Sequence, residues 1–78
     1  MTLDQIHIGN DFVVRNLSAQ GQIRRRLLDM GFTSGARGTL LRKALFGDPI
    51  EVRLGCYRLA VRVAEAQRIE VSGAHVEP

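Results

Sequence analysis

Three side chains in the sequence have the chemistry to bind a transition metal: His7, Cys56 and His75. A zinc or iron site needs three or four such ligands at one point, usually in spacings such as CxxC or HxxxH. These three residues lie in an N-terminal lead-in, a predicted turn and the C-terminal segment, and they form neither spacing. The sequence therefore predicts no intrinsic metal site and no cofactor, and the single cysteine excludes an internal disulfide.

The groups needed for catalysis are also missing from the sequence. No Ser-His-Asp or Cys-His arrangement occurs in a plausible order. The glycines form isolated turns, and none belongs to a phosphate-binding loop that ends in Lys-Ser or Lys-Thr. A small domain with an apolar core also leaves no room for an enclosed active site. We therefore expect that the protein is not an enzyme.

A cluster of arginines around one leucine is the best candidate for a binding surface. Arg24 and Arg25 precede Leu28 in a segment that is predicted to be helical, and Leu28 is out of phase with the apolar stripe of that helix. Apolar residues beside arginine are typical of protein interfaces. We predict that Arg24, Arg25 and Leu28 bind a partner protein. The alternative is that Leu28 widens the core-facing side of the helix.

The charge balance suggests a second class of partner. The chain has 11 basic and 8 acidic residues, a net charge of +3, and all but one of the basic residues are arginine. Such a surplus suits nucleic acid, an acidic protein surface or an ordinary solvated surface. A basic stripe on the outer face of the sheet would consist of Arg42, Lys43, Arg53, Arg58 and Arg62. Single-strand binders also need exposed aromatic rings, and because Tyr57 is predicted to point inward we expect no stable nucleic-acid binding.

One segment of the chain, residues 22–30, predicts an α-helix. Ile23, Leu27 and Met30 recur at helical spacing and form one apolar stripe. Gly31 follows the segment in a position suited to the left-handed conformation that ends many helices. Phe32 then stands where an apolar contact back onto the last turn is expected. We expect this helix to close a small β structure.

Short β-strands account for most of the remaining chain. The cleanest pattern is at 50–61, where apolar and charged residues alternate on both sides of Gly55 and Cys56, as in a two-strand hairpin. The adjacent Leu40 and Leu41 interrupt such an alternation, and they predict a bend, a bulge or a strand covered on both faces. The predicted strands are 12–17, 37–46, 50–54, 57–61 and 69–71, with one helical turn at 64–67.

These elements predict one mainly β domain, a small barrel of about five strands with one α-helix between the first and second strands. The domain is expected at residues 1–71, followed by a flexible C-terminal tail at 72–78. A domain of this size buries only about 60–65% of its unfolded surface, so its core is thin. The predicted core residues are Val13, Ile23, Leu27, Met30, Leu40, Ile50, Val52, Leu54, Leu59, Val61, Ile69 and Val71.

Six short motifs follow one another along most of the chain. They are RLLDMGF at 26–32, SG at 34–35, GDPI at 47–50, YRLAVR at 57–62, EA at 65–66 and IEV at 69–71. In order and spacing they resemble the FeoA family, the small cytoplasmic components of bacterial ferrous-iron uptake. The resemblance implies an SH3-like β-barrel. In one departure, Ala44, Leu45 and Phe46 stand where the family often has a proline, which predicts an exposed Leu45 or Phe46.

The resemblance also implies a partner, FeoB, a membrane ferrous-iron transporter with a cytosolic G-protein domain. We therefore expect an accessory or regulatory protein that docks to this transporter on the inner side of the membrane. A cytoplasmic location agrees with the lack of an apolar run of about 18 residues and of a secretory signal at the start of the chain. The alternative is a free-standing SH3-like domain, related to the C-terminal domain of iron-dependent repressors, that acts in metal-responsive regulation or nucleic-acid binding.

Overall fold

Five antiparallel strands form a single sheet in the computed structural model, which describes residues 1–73. The strands are β1 (Asp11–Leu17), β2 (Arg37–Lys43), β3 (Ile50–Leu54), β4 (Tyr57–Val61) and β5 (Ile69–Gly73). Their order across the sheet is β4-β3-β2-β1-β5, so the last strand lies beside the first. Helix α1 (Gly21–Asp29) connects β1 to β2, and the one-turn helix α2 (Val63–Ala66) connects β4 to β5. The predicted mainly β domain with a helix between its first two strands is confirmed.

The hairpin and the irregularity predicted in the strands are both present. Leu54 lies opposite Tyr57, so that Gly55 and Cys56 form a two-residue turn between β3 and β4. Gly55 has a φ of 64°, which glycine adopts at the first turn position without strain. The register between β2 and β3 shifts between Leu40 and Arg42, as the doubled leucine predicts. The alternation of side chains therefore changes face midway along β2.

Apolar side chains fill the space between the sheet and the helices. Most of the predicted core residues are buried, with Met30 and Leu59 partly buried against the same cluster. Ile23 is an error of the prediction, because its side chain is 48% exposed in the first turn of α1. The buried core residues that the sequence analysis did not include are Leu3, Ile6, Phe12, Val14, Leu17, Ala19, Phe32 and Ala66.

Strand β1 is covered on both of its faces. Phe12, Val13 and Val14 are all buried although consecutive side chains of a strand point to opposite faces. Phe12 and Val14 belong to the main core cluster, and Val13, which the sequence analysis placed in the core, is buried outside that cluster. β1 is paired at both edges, with β2 and β5, and the burial of Val13 shows that its second face is shielded as well.

Tyr57 lies on the core-facing side of the sheet, as the alternation predicts, but its side chain is not buried. Its side chain is 53% exposed, although it lies opposite the buried Leu54. β4 ends the strand order, so no further strand covers the ring. The Tyr57 hydroxyl instead donates a hydrogen bond to the carbonyl oxygen of Met30, at 3.1 Å, just beyond the end of α1. The ring thus connects the edge of the sheet to the helix.

Both ends of the described chain join the sheet. Ser72 and Gly73, which belong to the predicted tail, continue β5 and pair with Val13 and Phe12. The rest of the predicted tail, 74–78, lies outside the described residues. At the other end, the Val71 N–H donates to the carbonyl oxygen of Met1 at 2.9 Å. Neither helix within residues 1–73 has the length and apolar composition needed to cross a membrane.

Candidate functional site

Helix α1 is held at its C-terminal end by a Schellman motif. Gly31 adopts a φ of 109° and donates its N–H to the Leu28 carbonyl oxygen at 3.0 Å, and Phe32 donates to that of Leu27 at 3.1 Å. The side chains of Leu27 and Phe32 are both fully buried. This end of the helix therefore cannot move without opening the core. The buried contacts of Leu27 and Phe32 thus fix the orientation of the exposed side of α1 relative to the sheet.

The three residues predicted to bind a partner lie together on the solvent side of α1. Arg24, Arg25 and Leu28 are all exposed, with Leu28 at 36%. At 3.6 residues per turn they occupy an arc of about 100° of the helix surface. One guanidinium nitrogen of Arg24 donates to the Leu17 carbonyl oxygen at 3.4 Å, which limits the motion of that side chain. The arc combines an apolar side chain with two cations.

A second exposed apolar side chain of α1, Ile23, lies outside this arc, about 140° around the helix from Leu28. It lines an open groove between α1 and α2, together with Arg26 and Glu65. Arg26 and Glu65 form an ion pair across that groove, with 3.2 Å between Nη1 and Oε2. Sequence reasoning missed Ile23 as a surface residue because periodicity placed it on the core stripe. The groove is therefore separate from the arc of Arg24, Arg25 and Leu28.

The candidate metal ligands are not brought together in the described part of the chain. His7 and Cys56 are both exposed, and His75 lies outside the described residues. Within residues 1–73 no group of three or more His, Cys, Asp or Glu side chains has the geometry to hold a metal ion. The prediction that the protein has no intrinsic metal site stays a prediction.

Two aromatic side chains, Phe46 and Tyr57, are exposed in the described chain. Phe46 is 96% exposed in the segment between β2 and β3, and Tyr57 is 53% exposed on the side of the sheet that meets the end of α1. The expectation of an outer face without aromatic rings stays a prediction. The prediction that Leu45 or Phe46 is exposed is confirmed, because both are. Within the predicted basic stripe, Arg53 lies opposite Arg58 across β3 and β4. These two exposed arginines therefore lie side by side on the outward-facing side of the hairpin.

A family model described as the FeoA domain matches residues 1–73, which is the whole described part of the chain. The chain belongs to the FeoA family. It is 34% identical over 71 residues to the Fe(2+) transport protein A/Fe(2+) transporter FeoB fusion protein of Porphyromonas gingivalis, and the match covers 91% of this chain. The chain spans only 8% of the length of that fusion protein.

Solved structures of FeoA proteins have the same fold as this FeoA chain. The solution structure of a Chlorobium tepidum FeoA protein has a TM-score of 0.90 at 36% identity, over 100% of this chain and 74% of that one. The zinc complex of Stenotrophomonas maltophilia FeoA has a TM-score of 0.81 at 33% identity, over 92% of this chain and 89% of that one. The latter is described as a prokaryotic SH3 domain protein. The SH3-like fold implied by the resemblance is confirmed.

Fold similarity extends beyond the FeoA family. A manganese-dependent transcriptional repressor in complex with manganese has a TM-score of 0.85 at 23% identity, over 94% of this chain and 36% of that one. At this identity the likeness establishes a shared fold and nothing about function. The names of the FeoA relatives, in contrast, link the family to ferrous iron transport.

Proposed function

We propose that this FeoA chain is an accessory protein of ferrous-iron uptake that docks on the cytosolic part of a FeoB-type transporter. The observation that carries the proposal is the fusion of a homologous segment to FeoB in the Porphyromonas gingivalis protein. Fusion keeps two domains at a high effective concentration. A separate chain with the same role needs an interface that holds the two proteins together, and docking on the inner side of the membrane implies a cytoplasmic location.

The role that we propose is binding without catalysis. Within residues 1–73 no polar or charged side chain is buried, and the core consists of apolar residues that stabilise the fold. An active site normally places titratable groups in a sheltered pocket, where their reactivity is altered. The described chain has its charged groups on the surface, which suits contact with another protein.

We assign the docking surface to Arg24, Arg25 and Leu28 of α1. The exposure of all three residues and their common arc support this assignment. The arginines can form paired hydrogen bonds with carboxylates of the partner, and Leu28 can be buried between them. The fixed C-terminal end of α1 presents these side chains in one orientation, which lowers the entropic cost of binding.

The experiment is a pull-down of the detergent-solubilised transporter by the purified chain. We expect the double variant Arg24→Glu/Arg25→Glu to lose about tenfold or more in affinity, because charge reversal places like charges in contact. The control is Arg15→Glu/Arg37→Glu, which changes the net charge equally at exposed positions on the strands and should bind like the wild type. Unchanged binding by the α1 variant would contradict the assignment.

A second candidate function is nucleic-acid binding in metal-responsive regulation. The exposure of Phe46 favours it, because this ring is available for stacking and follows Leu45, which lines a groove together with Arg42 and Arg58. The fold shared with a transcriptional repressor is compatible with this function but does not argue for it. A gel shift with single-stranded DNA that disappears as salt is raised would support this alternative over docking to the transporter.

A further inference from the structure

One edge of the sheet is free within residues 1–73. At the β5 end, the N-terminal residues cover the edge: Val71 donates its N–H to Met1, and Thr2 forms a bridge with Glu70. At the other end, β4 pairs with β3 and with no other described strand. A strand edge left open in this way offers backbone hydrogen-bonding groups to another extended chain.

The register of the hairpin identifies the free backbone groups of β4. Leu54 and Tyr57 flank a two-residue turn and form a hydrogen-bonded pair, after which bonded and non-bonded positions alternate along the strand. Arg58 and Ala60 therefore direct their N–H and C=O groups away from β3. Both residues are exposed, and both line an open groove of about 660 Å³ that extends from β4 across β3 to β2 and the segment between β2 and β3.

The groove carries a surplus of positive charge. Arg42, Lys43 and Arg58 line it together with a single acidic residue, Glu51. Glu51 forms an ion pair with Arg42, with 2.8 Å between Oε1 and Nε. In the described chain, Lys43 and Arg58 take part in no ion pair. These two cations are available to carboxylates of a ligand.

An apolar contact point adjoins the basic groove. Leu45 lines the groove and is 81% exposed, and the next residue, Phe46, is 96% exposed. Phe46 has a φ of 68°, a left-handed conformation that residues with bulky side chains rarely adopt. The chain thus holds an aromatic ring in solvent in a strained backbone conformation, a combination that is common at binding sites.

We propose that β4 binds an extended acidic segment of a partner protein as an additional strand of the sheet. The free backbone groups of Arg58 and Ala60 pair with the backbone of that segment, and Lys43 and Arg58 bind its carboxylates. An apolar side chain of the segment packs against Leu45 and Phe46. None of these residues belongs to α1, so this binding mode is independent of the docking role assigned to that helix.

The test is an NMR titration of the isotopically labelled chain with a synthetic peptide of about nine alternating Glu and Val residues, a typical strand length. We expect saturable shifts of the amide resonances of Arg58 and Ala60. The same peptide with every backbone amide N-methylated keeps its side chains and charge but cannot pair as a strand. It should cause no shifts at these two amides.

Variants separate the charge contribution from the apolar contribution. Lys43→Glu/Arg58→Glu should weaken binding of the peptide by about tenfold or more, since charge repulsion replaces attraction. Phe46→Ala, at a position that is almost fully exposed, should weaken it by about fivefold. The control Arg15→Glu/Arg37→Glu makes the same change in net charge and should leave the affinity unchanged.

Four results would overturn the proposal. The first is equal affinity of the wild type and the Lys43→Glu/Arg58→Glu variant, and the second is equal binding of the N-methylated peptide. The third is binding of a single-stranded oligonucleotide at Arg58 and Ala60 in preference to the acidic peptide, which would assign the edge to nucleic acid. The fourth is a concentration-dependent dimer that shifts the same amides without peptide, which would assign it to a second copy of the chain.

Discussion

At the residue scale, two side chains that share one apolar stripe in the sequence pattern differ in how deeply they are buried. Ile23 and Leu27 lie one turn apart on the same stripe of α1, yet Leu27 is fully buried and Ile23 is 48% exposed. Leu27 packs in the main core cluster, whereas Ile23 borders the groove against α2. The same residue type can thus stabilise the fold at one position and provide surface for binding at the next turn.

Replacement of Leu27 by alanine should destabilise the domain by about 2–4 kcal/mol, because it leaves a cavity in a thin core. Ile23→Ala is the matched control, since it shortens an apolar side chain of α1 that is half exposed, and it should cost about 1 kcal/mol or less. Urea denaturation followed by circular dichroism measures both. Equal stability of Leu27→Ala and the wild type would show that α1 does not pack on the sheet.

At the element scale, the contact between α1 and β4 depends on a glycine. A Cβ atom at Gly31 would lie 2.7 Å from the Tyr57 hydroxyl oxygen and 3.0 Å from Cδ2 of Leu54. The same residue has a φ of 109°, which disfavours any side chain. The glycine therefore serves both the end of the helix and the close approach of the hairpin.

Gly31→Ala should lower the free energy of unfolding by about 1–2 kcal/mol from the backbone conformation alone, with a further loss from the contact with Tyr57. Gly55→Ala provides the comparison, because Gly55 also has a positive φ but has open space where a Cβ would lie. Thermal unfolding of both variants isolates the contribution of the contact. If Gly31→Ala costs no more than Gly55→Ala, the hairpin does not approach the helix this closely.

At the scale of the whole molecule, the N-terminal residues complete the domain. Leu3 is fully buried and Ile6 is 5% exposed, and both belong to the core cluster. Thr2 forms a bridge with Glu70, so the chain start covers the outer edge of β5. This segment, which the sequence predicts to be a lead-in, seals one end of the core and one edge of the sheet.

Leu3→Ala should therefore destabilise the domain by about 2–4 kcal/mol, as for a residue in the centre of the core. Ile8→Ala is the control from the same segment, because Ile8 is 57% exposed, and its effect should be within about 0.5 kcal/mol. Hydrogen exchange of the β5 amides should also be faster in Leu3→Ala than in Ile8→Ala. Similar stability of the two variants would show that the N-terminal segment does not contribute to the core.

Much of the candidate site could be predicted from the sequence. The helix, its end at Gly31 and the exposure of Arg24 and Arg25 follow from spacing and residue type, which act over one or two turns. For Leu28 the sequence left two positions open, and the structure shows it exposed. The exposure of Ile23 could not be predicted, because periodicity identifies the face of a helix but not how far the sheet extends beneath it. The role of Arg24, Arg25 and Leu28 in binding a partner stays a prediction.

The sequence by itself determined the local elements: the two-residue turn at Gly55 and Cys56, the break at Leu40 and Leu41, and the helix between the first two strands. These features depend on neighbours in the chain, and their residues carry the signal directly. The tertiary structure alone decided that β1 is covered on both faces, that the chain start covers β5 and that β4 keeps a free edge. Burial and strand order depend on contacts between residues far apart in the chain, and no local pattern contains that information.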